Sequence, residues 1–318
     1  PMGLTRSNAS VTETSKWTWF PMAGLIGNSW NKQLAYDYGK TVAAEGAATG
    51  VHGWYAPGAN IRRSPFGGRN NEYYSEDPVL SGYSAAYTVL GALEGNMAPY
   101  IKHFALNETE TLRNSLYTWA TEQNIRENYL RPFEIAVKKG KANGIMSAFN
   151  RVGSVWAGAN HGLLTNILRD EWGFNGIVMA DGCALDRLLI MTRSEEKSCK
   201  LALDAGVDLS LWDEIYPNLD KAVENGIVEE KDIDKALYRI LDVKFRLGLF
   251  NDKKVNYKED EDIQKINIQV ARESLVLLKN NNILPLNMKG KKIAIIGPNA
   301  DNGYNQLGDY TSPQSEGN

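Results

Sequence analysis

The stretch "GFNGIVMADG", residues 173–182, decides the fold class of this 318-residue chain. Its short apolar run ends directly in Asp181. Similar runs, "IMSAFN" (145–150) and "VDLSLW" (207–212), alternate with helical patterns such as "HGLLTNILRDEW" (161–172), whose apolar positions form one stripe. This alternation is typical of βα units around a parallel sheet. We therefore predict an α/β protein in which Asp181 stands at the carboxyl end of a buried strand.

Composition and charge exclude several classes of partner. The chain is 43% hydrophobic and carries a net charge of -3, from 35 Lys and Arg against 38 Asp and Glu. Without a cationic block it offers no electrostatic footprint for nucleic acid or an anionic membrane. No apolar run approaches the ~20 residues of a membrane span. The nearly balanced charge favours a neutral or small substrate. Cys183 and Cys199 show no metal-ligand spacing, so we expect two unpaired thiols.

The second half of the chain shows a change of organisation. Two amphipathic helices, "NLDKAVENG" and "EEKDIDKALYRILDVKFRLGLF", are separated by a C-cap at Gly226 and close a first domain. The second carries an apolar face of Ile233, Leu237, Ile240, Leu241 and Phe245.

A charged linker (251–265) and a last helix (266–280) follow, and then a buried strand, Ile293 to Ile296, resembles the start of a second α/β domain. We predict a first domain over 1–250, a linker and connecting helix over 251–288, and the first part of a second domain over 289–318. Since the chain begins at Pro1, we expect the first domain to be incomplete at its N-terminus.

Polar residues at three strand ends are candidates for chemistry. "YIKHF" supplies Lys102 and His103, "MSAFN" supplies Asn150, and "VMAD" supplies Asp181. In a parallel αβ barrel the carboxyl ends of the strands converge on the face that holds the active site. Three of these residues also have an ordinary interpretation: Asp181 as a helix N-cap, His103 as a hydrogen-bonded core histidine, and Lys102 as a snorkelling lysine.

The polar loop "NIRRSPFGGRNNEYYSEDP", residues 60–78, is either solvated surface or a loop that builds a site. Arg69 follows two glycines there and could approach a ligand closely. The loop also starts a set of blocks that resembles glycoside hydrolase family 3, the retaining β-glucosidase group. The other blocks are "KHFALNETE", "LRDEWGFNGIVMAD", "ALYRILDVKFRLGLF" and "ARESLVLLKNNNILPL", in the order of the family.

The resemblance implies that the first domain, 1–250, is a catalytic (β/α)8 TIM-type barrel and that an α/β sandwich domain follows it. It also implies hydrolysis of terminal β-D-glucosyl residues in a β-glucoside or short oligosaccharide. It makes Asp181 the catalytic nucleophile and assigns sugar-hydroxyl binding to Arg69, Lys102, His103 and Arg113. It implies no metal and no organic cofactor. It leaves the oligomeric state and the cellular compartment open.

Four departures from the family pattern bear on function. Gly182 follows the nucleophile where many members have an aromatic residue, and Phe149 in the substrate site stands where many have Tyr. The sugar-binding Asp of the first strand is not in the chain. The acid/base Glu of the family lies in the second domain, beyond "LGDYTSPQSEGN", so we expect it from a segment outside this chain. Glu72 and Glu76 are interpreted as partners that structure their loop, and no role is assigned to Glu108 and Glu110.

Two alternatives therefore stay open. The first is a β-xylosidase or another β-exo-glycosidase of the same family, because the loops that select the sugar cannot be read from the sequence. The second is a catalytically incomplete barrel that binds sugars without cleaving them.

Overall fold

The computed structural model describes residues 18–251, 261–302 and 310. Strands and helices alternate along most of this length. The strands are Gly53–Trp54 (β1), Ala98–Phe104 (β2), Tyr117–Thr118 (β3), Gly144–Ser147 (β4), Arg151–Val152 (β5), Val155–Trp156 (β6) and Ile177–Ala180 (β7). The α-helices are Ala23–Ser29 (α1), Lys32–Ala48 (α2), Pro78–Glu94 (α3), Glu122–Asn124 (α4), Arg131–Lys138 (α5), Leu189–Thr192 (α6), Glu195–Ala205 (α7), Leu219–Glu224 (α8), Glu230–Arg246 (α9) and Glu261–Glu273 (α10).

Shorter or wider helical turns complete the connections. The π-helical segments are Ile125–Tyr129 and Gly162–Glu171, and the 3-10 turns are Asn70–Glu72, Ala157–Ala159, Leu185–Leu188 and Tyr216–Asn218. The predicted helix at 161–172 is thus confirmed, and its apolar stripe is buried at Leu163, Leu164 and Leu168.

The central sheet is parallel, with strand order β1-β2-β4-β7. All seven residues of β2 and all four of β7 are buried, because helices cover the sheet. The register pairs Ser147 at the end of β4 with Ala180 at the end of β7. The carboxyl ends of neighbouring strands therefore meet at one edge, which confirms the α/β class with parallel βα units. A second, small sheet has the order β3-β5-β6.

Sequence features explain how α2 and α3 pack so closely beside this sheet. Helix α3 begins with Asp77, whose carboxylate accepts from the amide of Leu80, and with Pro78, which needs no amide partner at that position. A β-carbon at Gly91 would lie 2.0 Å from the carbonyl oxygen of Tyr36 in α2. Only glycine allows the two backbones to approach this far.

The segment after α7 lies along β7 and is held by one buried carboxylate. Asp208 Oδ2 accepts hydrogen bonds from the Val178 amide at 2.8 Å and from Arg169 at 2.7 Å. Asp208 Oδ1 accepts from Arg239 at 2.8 Å. The predicted strand over 207–212 is therefore wrong as a regular strand: the side chain of Asp208 takes the Val178 donor that a ladder would use, and only the bridge between Met179 and Leu209 forms.

Of two predictions near the end of the chain, the helix is confirmed with different bounds and the strand is wrong. The predicted helix over 266–280 is α10, which starts at Glu261 inside the predicted linker and ends at Glu273. Leu275 and Leu278 beyond it are 81% and 91% exposed, so no packing stabilises further turns. The predicted buried strand Ile293–Ile296 is irregular, and Ile296 is 90% exposed, because no described segment pairs with it.

The predictions for α8, α9, the cysteines and the domain boundaries have different outcomes. The predicted C-cap at Gly226 is one residue off: Asn225 is the C-cap of α8, and Gly226, with φ 68°, follows it as the left-handed residue that ends the helix. On α9, Leu237 and Phe245 of the predicted apolar face are exposed, whereas Ala236 and Val243 are buried. Cys183 and Cys199 are both unpaired. The linker residues 252–260 lie outside the described residues, and the domain boundaries at 250 and 288 stay predictions.

No helix within the described ranges is long and apolar enough to cross a membrane.

The Asp208 contacts predict a large effect of one substitution on stability. Asp208→Ala leaves Arg169, whose side chain is 8% exposed, without its carboxylate partner. Removing one partner of a buried pair costs about 3 to 5 kcal/mol, so we expect the free energy of unfolding, measured by urea denaturation, to fall by about 3 kcal/mol. The control Asp204→Ala breaks the exposed pair with Lys200 and should change it by less than about 1 kcal/mol. Equal effects of the two substitutions would contradict the role of Asp208.

Candidate active site

The ends of β2, β4 and β7 bring most of the predicted site residues together. His103 Nε2 of β2 and Arg113 Nη1 of the following loop each lie 3.8 Å from Asp181 Oδ2. Phe149, two residues after β4, lies under the guanidinium of Arg113, with its ring centroid 4.4 Å from Cζ. Asp181 at the end of β7 thus faces side chains from β2 and the loop that follows it, and Phe149 from the end of β4 packs on Arg113.

Asp181 presents one free oxygen to this site. Its Oδ1 accepts from the neighbouring Gly182 amide at 2.8 Å. Its Oδ2 is buried and has no hydrogen-bond partner among the described residues. The next helical turn begins only at Leu185, and no side chain caps it, so the N-cap interpretation of Asp181 is wrong. This buried oxygen therefore keeps lone pairs that no described group uses.

Burial and charge act against each other on this carboxyl group. Burial raises the pKa of Asp181 above its ordinary value, while Arg113, the Gly182 amide, Arg69 and Lys102 oppose the rise without cancelling it. The nearby cations therefore exert the weaker of two opposing effects on the pKa of Asp181. Asp181 is a carboxylate whose negative charge is destabilised by burial in the absence of a ligand.

Arg113 is oriented from two sides. Its Nε lies 3.2 Å from Glu110 Oε2, and its guanidinium stacks on Phe149. Its Nη1 atom is buried and, like the facing oxygen of Asp181, has no hydrogen-bond partner in the described part of the chain. A donor and an acceptor that face each other at 3.8 Å without a direct bond can both bind the same hydroxyl group.

Glu72 joins the polar loop to the sheet. Its two carboxylate oxygens lie 2.6 Å from Arg69 Nε and 2.6 Å from Lys102 Nζ, and its side chain is only 2% exposed. Although burial alone would raise it, Lys102 and Arg69 bring the pKa of Glu72 well below its usual value. Glu72 is thus the loop-structuring partner that we expected. The snorkelling interpretation of Lys102 is wrong, because its ammonium group is buried on Glu72.

His103 is buried between Asp181 and Tyr73. Its Nδ1 atom lies 3.4 Å from the Tyr73 hydroxyl, and its backbone amide donates to Asn60 Oδ1 at 2.7 Å. Burial, followed by the positive charges of Arg69 and Lys102, holds the pKa of His103 well below its usual value. The imidazole is therefore neutral at pH 7 and can act as a hydrogen-bonding group beside Asp181.

Several contributors were missed from the sequence. Tyr310 lies over the cations of the site, with its ring centroid 5.6 Å from Arg69 Cζ and 5.0 Å from Lys102 Nζ. Glu110 supports Arg113, and its i, i+3 spacing is a signal that could have revealed it. Asn150, in contrast, donates to the Ala105 carbonyl at 3.1 Å and serves the backbone.

Glu108 is buried on Asn60, and burial raises the pKa of Glu108 to about 7. Within the described residues, no group of three or more His, Cys, Asp or Glu side chains could hold a metal ion.

Glu72 generates a prediction for stability. Glu72→Gln keeps the shape but leaves the buried Lys102 without its carboxylate partner and Arg69 with only Glu110, at 4.0 Å, so the free energy of unfolding should fall by about 3 kcal/mol in urea denaturation. The control Glu122→Gln removes an exposed partner of Arg126 and should change it by less than about 1 kcal/mol. A Glu72→Gln protein as stable as the unchanged protein would contradict the role of Glu72 in holding Arg69 and Lys102.

The curated proteins to which the chain is similar are glycosidases. The chain is 34% identical over 305 residues to a beta-glucosidase of Rhizobium radiobacter, covering 93% of this chain and 36% of that protein. It is 36% identical over 317 residues to an exo-alpha-(1->6)-L-arabinopyranosidase of Bifidobacterium longum, covering 93% of this chain and 40% of that protein. The chain thus spans roughly a third to two fifths of the length of these relatives.

Comparisons with solved structures and with family models also find glycoside hydrolases. Beta-glucosidase 3B from Thermotoga neapolitana, solved in complex with alpha-D-glucose, has a TM-score of 0.80 at 34% identity over 89% of this chain and 40% of that one. Among the structural neighbours are beta-glucosidases whose N-terminal domain is a TIM-type barrel, so the predicted fold class is confirmed. The model of the glycosyl hydrolase family 3 N terminal domain matches residues 7–243, and that of the C-terminal domain matches residues 275–316. The chain belongs to glycosyl hydrolase family 3.

Proposed function

We propose that this protein is a retaining exo-glycosidase that hydrolyses terminal β-D-glucosyl residues through a covalent intermediate on Asp181. The observation that supports this most is the unpaired Oδ2 of Asp181, buried at the end of β7 and 3.8 Å from both His103 and Arg113. A nucleophile needs an accessible lone pair, and surrounding donors that can bind sugar hydroxyls.

In the first step, Asp181 Oδ2 attacks the anomeric carbon as the bond to the aglycone oxygen breaks. The aglycone takes a proton from a second carboxyl, which the family resemblance assigns to a glutamate of the second domain. Water then attacks the same carbon from the face that the aglycone left, returns a proton to that carboxyl and releases Asp181. Two inversions leave the sugar with its original anomeric configuration.

The buried charges around Asp181 suit the transition state. Positive charge develops on the sugar ring as the aglycone leaves, and the carboxylate of Asp181 stabilises it. Glu72 neutralises Arg69 and Lys102 in part, and Glu110 holds Arg113. These three cations present directed donors to the sugar hydroxyls. Neutral His103 adds a hydrogen bond without adding a charge that would repel the developing cation.

A β-D-glucoside is the proposed substrate because relatives and structural neighbours carry the name beta-glucosidase. The arabinopyranosidase has a similar identity to this chain, so other pyranosides stay alternative substrates, as does a β-xyloside. A panel of 4-nitrophenyl glycosides decides between them, and the proposal requires the highest kcat/KM for the β-D-glucoside.

The nucleophile assignment predicts the effect of a nearly isosteric change. Asp181→Asn removes the attacking carboxylate but little volume, so kcat/KM for 2,4-dinitrophenyl β-D-glucoside should fall at least about 10⁴-fold with the fold intact. The activated leaving group needs little protonation, so the assay reports the nucleophile. The control Asp170→Asn changes an exposed aspartate and should leave activity unaltered. Activity of Asp181→Asn within tenfold of the unchanged protein would contradict the assignment.

The pKa of Asp181 predicts the acid side of the pH profile. Only the ionised carboxylate attacks, so kcat/KM falls as the pH drops through this pKa, which burial places above the ordinary value of about 3.9. Arg113→Gln removes a positive charge that lowers this pKa, so the acid limb of its residual activity should move to higher pH. Arg246→Gln, an exposed change on α9, should leave the limb in place. A limb that stays or moves to lower pH in Arg113→Gln would contradict the electrostatic account.

A further inference from the structure

The residue after Asp181 is a glycine whose empty side is filled by a tryptophan from another loop. A β-carbon at Gly182 would lie 3.1 Å from ring atom Cε3 and 3.4 Å from Cζ3 of Trp212. The indole of Trp212 thus packs directly on the backbone next to Asp181. It is nevertheless 69% exposed, so most of its surface is open to solvent or to a ligand.

Trp212 is held in this position by the loops on either side of it. The amide of Cys183 donates to the Leu211 carbonyl at 2.8 Å, and the Cys183 thiol donates to the Trp212 carbonyl at 3.0 Å. The Glu214 amide donates to Asp186 Oδ1 at 2.9 Å. These bonds tie the 211–214 turn to the segment that carries Asp181.

The backbone of Trp212 is strained. Its φ of 56° lies in the left-handed region, which is costly for a bulky side chain and persists only where surrounding contacts determine it. Such strain is concentrated at functional sites. A large, exposed aromatic ring, fixed at a cost in backbone energy beside a reactive carboxylate, is unexpected for a purely structural residue.

We propose that Trp212 is a specificity-determining residue that forms the apolar wall of the sugar subsite beside Asp181. It takes the place that an aromatic residue directly after the nucleophile would occupy, and Gly182 provides the room for it. The flat face of the indole binds the apolar C–H face of the glycosyl unit. The polar groups of the site cannot bind that face, because it has no hydrogen-bonding atoms. This assignment rests on the proposed function.

Trp212→Gly tests the ring without disturbing the loop, because glycine adopts φ of 56° at little cost. With 4-nitrophenyl β-D-glucoside we expect kcat/KM to fall at least about 10-fold, whereas Trp212→Phe should stay within about 3-fold of the unchanged protein. The matched control is Trp30→Gly, which removes a tryptophan that is 78% exposed and also has a positive φ, of 54°. It should leave kcat/KM within about 2-fold.

A swap of the two positions separates binding from structure. Gly182→Trp alone should lower kcat/KM, because its β-carbon meets the Trp212 ring at 3.1 Å. The double variant Gly182→Trp, Trp212→Gly restores one aromatic wall and should be at least about 3-fold more active than either single variant.

Two results would overturn different parts of the account. Unchanged kcat/KM in Trp212→Gly, or a double variant no better than the singles, would overturn the role of Trp212 while leaving the proposed function intact. Failure of the unchanged, folded protein to hydrolyse 2,4-dinitrophenyl β-D-glucoside, whose leaving group needs little protonation, would overturn the proposed function itself.

Discussion

Asp208 is the side chain on which the geometry of the site depends most. Its carboxylate replaces part of a strand ladder, since it bonds the Val178 amide, Arg169 and Arg239 at once. These contacts fix the segment after α7 against β7, and Asp181 directly follows β7. The same segment carries Trp212 to Gly182. One buried anion thus sets the distance between the proposed nucleophile and the aromatic ring beside it. A buried carboxylate can do this only because two arginines and an amide satisfy it.

A second buried carboxylate organises the charges of the site. Glu72 binds Arg69 from the polar loop and Lys102 from β2, and so holds two cations near Asp181. Without it, these cations would repel each other in a buried environment. Burial raises the pKa of Asp181, and the cations limit that rise. Asp181 is thus a buried carboxylate whose nearest cation, Arg113, lies 3.8 Å away without a direct hydrogen bond. Neutral His103 fits the same arrangement, since a further cation would pair with the carboxylate proposed as the nucleophile.

Much of the fold and of the site could be predicted from the sequence, since local patterns determine them. The apolar run before Asp181 predicts β7, and the stripe at 161–172 predicts its helix. The prediction over 207–212 failed because a side chain, Asp208, took a backbone donor. The prediction at Ile293–Ile296 failed because a strand needs a partner that no local pattern reveals. Tyr310 and Trp212 were missed because their contacts with the site join residues far apart in sequence.

The most direct test of the account is covalent labelling of the protein by 2,4-dinitrophenyl 2-deoxy-2-fluoro-β-D-glucoside, followed by intact mass and peptide mapping. The fluorine slows both steps, and the activated leaving group hardly needs an acid, so the glycosyl intermediate accumulates. We expect one fluoroglucosyl group per chain, attached to Asp181. A folded protein that acquires no label, or that is labelled on a different residue, would contradict the assignment of Asp181 as the nucleophile.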